Sequence, residues 1–424
     1  MKTFRIPYHK TTLDVSIPDS NFKAVLESRV HGYCPGCTQT DIIENALNNP
    51  IASPKLEKLV RGKKNVVIVT SDHTRPVPSR ITLPALLHRI RQSEPDIEIK
   101  ILVATGYHRP TTRDEQIDKF GGPIVENEHI IIHESGDQNS LVQAGILPSG
   151  GELWLNRHAV ETDLLIAEGF IEPHFFAGFS GGRKAILPGI AGATTVLANH
   201  CAEFIASPYA RTGVLEKNPI HEDMVFAAEK VNLAFIINVV INSGKEVIHA
   251  FAGHREEAHL AGCRFLKDLA YAPRAEADIV ITSNGGYPLD QNVYQSVKGM
   301  TAAEATCKEG GVIIMVAGCQ DGHGGQSFYD NLAGATGPDE ILKRVITIPM
   351  DKTVPDQWEF QILARILKKH KVIFVTGLCD PDMIRDMHME HAKTANEALN
   401  RALEIKGKDA SVAVIPDGVS VIVG

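Results

Sequence analysis

Residues 169–200 read GFIEPHFFAGFSGGRKAILPGIAGATTVLANH and string His174, Lys184 and His200 along a run of small residues, directly after an apolar segment at 164–167. Neither plain core nor a plain linker has this composition. Backbone rich in glycine comes close to a ligand, an imidazole exchanges a proton or binds a metal, and a lysine serves as a point charge or a covalent anchor. The segment 178–184, GFSGGRK, invites comparison with a phosphate loop, but a Walker A motif needs glycine where Arg183 stands and Ser or Thr where Ala185 stands. That weakens an ATPase reading, although the amides around Gly178, Ser180, Gly181 and Gly182 can still cradle a single phosphate. His174 stands beside Phe175 and Phe176, where burial would keep it neutral near pH 7, as a base requires. A core histidine tethered to a carbonyl is the plain alternative. His200 has no HExxH pattern or paired ligand around it, so alone it is a poor metal-ligand signal.

Other clusters also follow apolar runs. Asp72, His73, Thr74 and Arg75 precede Pro76, and an arginine there can hold a carboxylate in a bidentate fork; a solvated loop is the alternative. His108, in GYHRP, suits a general base or a backbone-bonded structural role. Tyr294, Gln295 and Lys298 follow NGGYPLDQN, and Tyr294 and Lys298 share a face if a helix opens there. Trp358 packs a core or shields a small substrate. The CPGC at Cys34 and Cys37 lacks a second pair and reads as a turn. His388 and His391 fit an exposed helical face, and GHGGQS at 322–327 lacks the last glycine of a dinucleotide fingerprint.

These clusters need a frame that brings them together. Strand-like runs at 66–70, 97–105, 130–132, 164–167, 234–240, 247–250, 279–282, 312–316 and 372–375 alternate with helical stretches at 80–91, 112–119, 193–205, 221–230 and 255–269. That rhythm predicts an α/β fold. Two short strands are expected in 411–423. Loss of periodicity at 271–277 predicts two α/β domains, 1–272 and 273–424, with the active site in the cleft between them and the option that the last strands return to the first. In such sheets the strand ends at the carboxyl edge gather ligands. With 424 residues, 43% hydrophobic and 22% charged content, the chain can bury a sizeable core. A net charge of -8 argues against nucleic acid or an anionic membrane as partner. The lack of a leader-like start, of a long apolar segment and of a cysteine framework points to the cytoplasm.

As a set the motifs resemble the nickel-dependent lactate racemase family of 2-hydroxy acid racemases and epimerases. SDHTRP at 71–76, GYHRP at 106–110, EPHFFAGFSGGRK at 172–184 and ANH at 198–200 carry the likeness in the first half. NGGYPLDQNVYQSVKGMTAAEA at 284–305, AGCQDGHGG at 317–325 and PDQW at 355–358 carry it in the second. The resemblance implies a nickel-pincer nucleotide, a pyridinium mononucleotide with two sulfur arms holding nickel. It implies that this nucleotide is joined to Lys184 and that its nickel is completed by His200. It implies His108 and His174 as acid/base groups, Arg75 and Lys298 on the substrate carboxylate, and Gln295, Tyr294 and Trp358 shaping the pocket. Asp72, Arg75, Phe176, Gly178, Ser180, Gly181 and Gly182 would attend the nucleotide. The implied domains are a first that carries the cofactor and a second that closes over the substrate; the implied partners are a small 2-hydroxy acid and the enzymes that make and load the nucleotide. The implied reaction is lactate racemisation through pyruvate. Taking the hydroxyl proton and then hydride leaves a neutral carbonyl, whereas taking the α-proton puts a carbanion beside a carboxylate. Alternatives are a racemase or epimerase of malate, a longer aliphatic acid or a sugar acid, a non-catalytic nucleotide binder, and an NAD-dependent dehydrogenase weakened by the missing fingerprint.

Overall fold

The computed structural model describes residues 1–424. Most of the framework lies in two six-stranded sheets. Across the first the strands run Val247–Gly253, Leu233–Ile241, Leu164–Phe170, Asn65–Ser71, Glu98–Ala104 and His129–Ile132, parallel except for the first pair. These strands are near-continuous apolar runs because both faces are covered. Val67 and Val69 enter one core cluster while Val66 and Ile68 enter another. Chain order reverses between 65–71 and 164–170, and at such a switch point a crevice opens beyond the carboxyl ends.

The second sheet is wholly parallel and runs Glu390–Ala392, Lys371–Val375, Cys307–Val316, Ala277–Ser283, Val412–Ile415 and Phe22–Val25. One face supplies Val280, Ile313 and Met315 to a cluster of 60 buried residues that also holds Val67, Val69, Leu165 and Ala167 of the first sheet. A continuous core thus joins the two sheets. No helix is long and apolar enough to cross a membrane.

Three features depart from the sequence expectations. The chain's beginning is built onto the second sheet and not onto a unit running from residue 1 to 272. Phe22–Val25 pairs beside Val412–Ile415, whose edge would otherwise stand bare. The hairpin Lys2–Tyr8/Thr11–Ile17 packs Ile6, Tyr8, Val15 and Ile17 against Ile279, Ile281 and Val312. Of the final strands, 412–415 stays in the second sheet, while Ile422–Val423 pairs with Tyr271–Ala272 and Ile422 packs with Val30, Ile171 and Val240. The helix expected over 193–205 is two helices, Ala193–Asn199 and Ala202–Ala206, broken at His200. His388 and His391 do not share a helical face: His388 has a positive φ of 64° after the helix Pro381–Asp386, and His391 sits in the strand Glu390–Ala392. Each approaches a carbonyl, Leu332 O at 3.0 Å and Thr376 O at 2.8 Å, which satisfies buried backbone.

Candidate active site

A cavity of about 220 Å³ opens at the switch point of the first sheet. Thr70, Ser71 and Asp72 reach it from the end of one strand, Glu168, Gly169 and Phe170 from its neighbour, and Thr105 and His108 from a third. The turn after Leu164–Phe170 contributes His174, Phe175, Phe176, Ser180, Gly181, Gly182 and Lys184, and the break after Ala193–Asn199 contributes His200. From the second sheet's side come Tyr294, Gln295 and Lys298 of the helix Val293–Glu304, with Trp358 and Glu359 of the helix Gln357–Lys369. Asn292 caps the first of these helices by accepting from Gln295 N at 2.9 Å, which sets the register that puts Tyr294 and Lys298 one turn apart.

His108 and Asp72 form a pair. Asp72, 1% exposed, holds His108 Nδ1 at 2.7 Å through Oδ2, while its Oδ1 accepts from Thr74 N at 3.1 Å and Thr74 Oγ1 at 2.7 Å. Burial alone would raise the Asp72 carboxyl, but the His108 bond and charge, with Thr74 and Arg75, bring it down to about 2. A carboxylate only accepts, so Nδ1 of His108 carries the proton and a neutral ring leaves Nε2 bare. His174 is held differently. Its ring stacks on Phe175 at 5.1 Å and meets Phe176 edge-on at 4.5 Å, its Nδ1 accepts from Ala177 N at 3.2 Å, and its Nε2 lies 3.5 Å from Lys184 Nζ.

Arg75, Lys184 and Lys298 line the cavity together with Asp72, Glu168 and Glu359. Burial, then Arg183, Arg75 and Lys298, push Lys184 well below the usual lysine value. Burial and the charges of Lys184, Lys298 and Arg75 push His174 well below the usual histidine value. Lys298 is also lowered, by burial and by Arg75, against the opposing pull of Glu172 and Glu359. A carboxylate entering beside Arg75, Lys184 and Lys298 offsets the repulsion among them. His200 sits between the rings of Phe176 and Trp358, at 5.2 and 5.1 Å. Burial lowers it to about 3, and its Nδ1 is buried without a hydrogen-bond partner.

Residues 8–213 match the family described as lactate racemase N-terminal domain, and residues 272–423 the family described as lactate racemase C-terminal domain. The chain belongs to the lactate racemase family. A protein named lactate racemase from Thermoanaerobacterium thermosaccharolyticum is 56% identical over 423 residues, spanning 100% of this chain and 99% of its own. Another so named, from Lactiplantibacillus plantarum, is 56% identical over 423 residues and 100% of both chains. The solved structure of the lactate racemase apoprotein from T. thermosaccharolyticum superposes with a TM-score of 0.97 at 56% identity over 100% of each chain. A solved protein from Thermotoga maritima, 21% identical, shares the fold with a TM-score of 0.65 over 92% of this chain and 100% of that one.

Of the residues that the family resemblance singled out, Asp72, Arg75, His108, His174, Phe176, Ser180, Gly181, Gly182, Lys184, His200, Tyr294, Gln295, Lys298 and Trp358 all line this one cavity. Gly178 does not. Its φ is +77°, and a Cβ there would stand 2.3 Å from Val214 O, so its smallness serves a close backbone crossing behind the site. The Ser180 hydroxyl is engaged within the turn, donating to Phe170 O at 2.9 Å and accepting from Glu172 N at 2.8 Å. Cys34 and Cys37 are exposed free thiols. Two carboxylates of the cavity escaped the sequence reading. Glu168, 2% exposed, accepts from the hydroxyls of Thr70, Ser79 and Thr82; its signal was a charge inside an apolar strand. Glu359, 1% exposed, keeps Oε1 unpartnered, and burial raises it well above the usual carboxylate range. An acid in the first turn of a helix reads as a partner of the helix dipole, so nothing in the sequence marked it.

Proposed function

We propose that the chain is a lactate racemase, an isomerase that interconverts D- and L-lactate through pyruvate, working with a nickel-pincer nucleotide attached to Lys184. The observation that carries this reading is the convergence in one cavity of a lysine disposed to be neutral, a buried imidazole nitrogen with no partner, and two further histidines beside Arg75 and Lys298. The residues fit the group. No cluster of three or more His, Cys, Asp or Glu side chains is present to hold a metal, so His200 would be the one imidazole the chain offers nickel, the other donors coming from the nucleotide, and imidazole with soft sulfur donors suits that metal. A neutral Lys184 amine is the form that makes an amide-type bond. When bound, the group supplies an acceptor and donor of hydride beside the substrate.

The remaining work falls to the chain. Arg75 and Lys298 bind the substrate carboxylate, and Phe175, Phe176 and Trp358 keep water from the reacting carbon, with Trp358 Nε1 donating to Tyr294 Oη at 3.0 Å to fix that wall. Asp72, Phe176, Ser180, Gly181 and Gly182 face the nucleotide. Racemisation needs a proton acceptor for each orientation of the hydroxyl, and His108 and His174 fill these roles with unequal preparation. His108 takes the hydroxyl proton at Nε2, and Asp72 stabilises the imidazolium. Neutral His174, accepting from Ala177 N at Nδ1, carries its proton on Nε2; to accept there it must shift tautomer and give up a hydrogen bond worth about 1 kcal/mol. The substrate Cα hydrogen returns to carbon as the same atom. Racemisation in deuterium oxide should therefore give lactate without deuterium at Cα; one deuterium per turnover would refute the hydride route. Enzymes that make and load the nickel nucleotide are the partners this reading requires.

A further inference from the structure

Arg183 is buried, 3% exposed, and its hydrogen-bond partners are backbone carbonyls and histidine rings, with no carboxylate among them. A guanidinium sequestered without a counter-charge is costly, so its bonds identify its task. Nη2 donates to Ala177 O at 2.8 Å, Nη1 to Ser180 O at 3.3 Å and Gly181 O at 3.2 Å, and Nε to His221 Nδ1 at 3.0 Å. His259 Nε2 closes the network, 3.0 Å from Nη1 and 2.9 Å from Ser180 O. Gly182 lies against that ring, where a Cβ would come within 2.8 Å of His259 Cγ, and its amide donates to Asn238 Oδ1 at 2.7 Å.

These contacts grip one turn, 177–182, which His174 precedes and Lys184 follows. Ala177 links them: its carbonyl accepts from Arg183, and its amide donates to His174 Nδ1. Resting on Lys184 as the attachment point, we propose that Arg183 is a positioning residue that fixes this turn so that Lys184 and His174 meet across the cavity in the geometry that attachment requires. A lysine at 183 keeps the charge but cannot span three carbonyls and a ring. The charge of Arg183 next to Lys184 works in the same direction, favouring the neutral amine.

The test is to make Arg183→Ala and Arg183→Lys in a host that produces the nickel nucleotide and to measure the loaded fraction by intact mass, the thermal midpoint, and the ¹⁵N shift of His174 Nδ1. We expect loading of Arg183→Ala to fall about tenfold or more. Guanidinium supplied during loading, at concentrations that leave the fold intact, should restore it by entering beside His221, Arg255 and Glu256, where a small cavity adjoins Arg183. Wild-type loading in Arg183→Ala, or reduced loading that guanidinium leaves unchanged, overturns the proposal. If Arg183→Ala does not fold, Arg183→Lys decides: lowered loading with a near-wild-type midpoint supports the proposal, and full loading overturns it. If the wild-type chain itself gains no mass, attachment at Lys184 fails. The ¹⁵N shift then still judges Arg183: movement toward a free ring nitrogen in the variant supports positioning, and no movement overturns it.

Discussion

Desolvation gives the buried cavity residues their chemistry. Lys184, His174 and His200 are all held toward their neutral forms, first by desolvation and then by neighbouring positive groups, Arg183, Arg75 and Lys298 for Lys184 and Lys184 for the two rings. The division of labour gives separable outcomes. Lys184→Ala should retain neither nucleotide nor activity, read by intact mass and a racemisation assay, and His200→Ala should lose nickel, read by metal analysis. His108→Ala should keep the nucleotide and lose turnover by about 10²-fold or more, measured as lactate racemisation. Which residues gather here was legible wherever a polar residue followed an apolar run, as with Asp72, His108 and His174. Glu359 and Arg183 were not, because an acid in a helix's first turn and a basic residue after glycines look like ordinary solvated charges until burial is known.

At the scale of elements, the site depends on how the chain leaves the strand Leu164–Phe170. It turns through residues whose φ values at Gly178, Gly181 and Gly182 are +77°, +76° and +52°, forms a short 3-10 turn at Gly182–Ala185, and reaches the helix Ala193–Asn199. The strand ends and the glycines were readable from composition. The break at His200 was not, since 193–205 contains no proline or glycine and its apolar spacing runs on. What ends the helix is the extended Cys201, with ψ 162°, which caps the next helix and leaves His200 at the seam. Gly178→Ala tests the turn directly. At φ +77°, with a carbonyl 2.3 Å from the added Cβ, the substitution should cost about 1–3 kcal/mol. A urea midpoint equal to that of the wild type would contradict the close crossing.

For the whole molecule, two doubly wound sheets share one continuous core and present the ends of their strands and helices to one cavity. The alternation of strands and helices was plain in the sequence; the attachment of residues 2–25 to the second sheet was not, because pairing across nearly 390 positions leaves no local signal. Buried histidines also set a global property. Burial lowers His133 to about 4, and His200 and His221 to about 3. An unfolded chain protonates these rings near pH 6.5 while the folded chain resists, so the unfolded state binds more protons as pH falls. The stability they confer is complete above about pH 6.5 and is lost on descent toward their folded values. The cofactor-free chain should show a flat thermal midpoint above about pH 7 and a steady fall below about pH 6; a midpoint unchanged down to pH 4 would contradict neutral burial. The central claim is the covalent bond at Lys184, and intact mass tests it most directly. Wild-type protein from a host that makes the nickel nucleotide should be heavier than its chain, and Lys184→Ala should not be. A fully active wild-type protein with the mass of the bare chain would contradict the account.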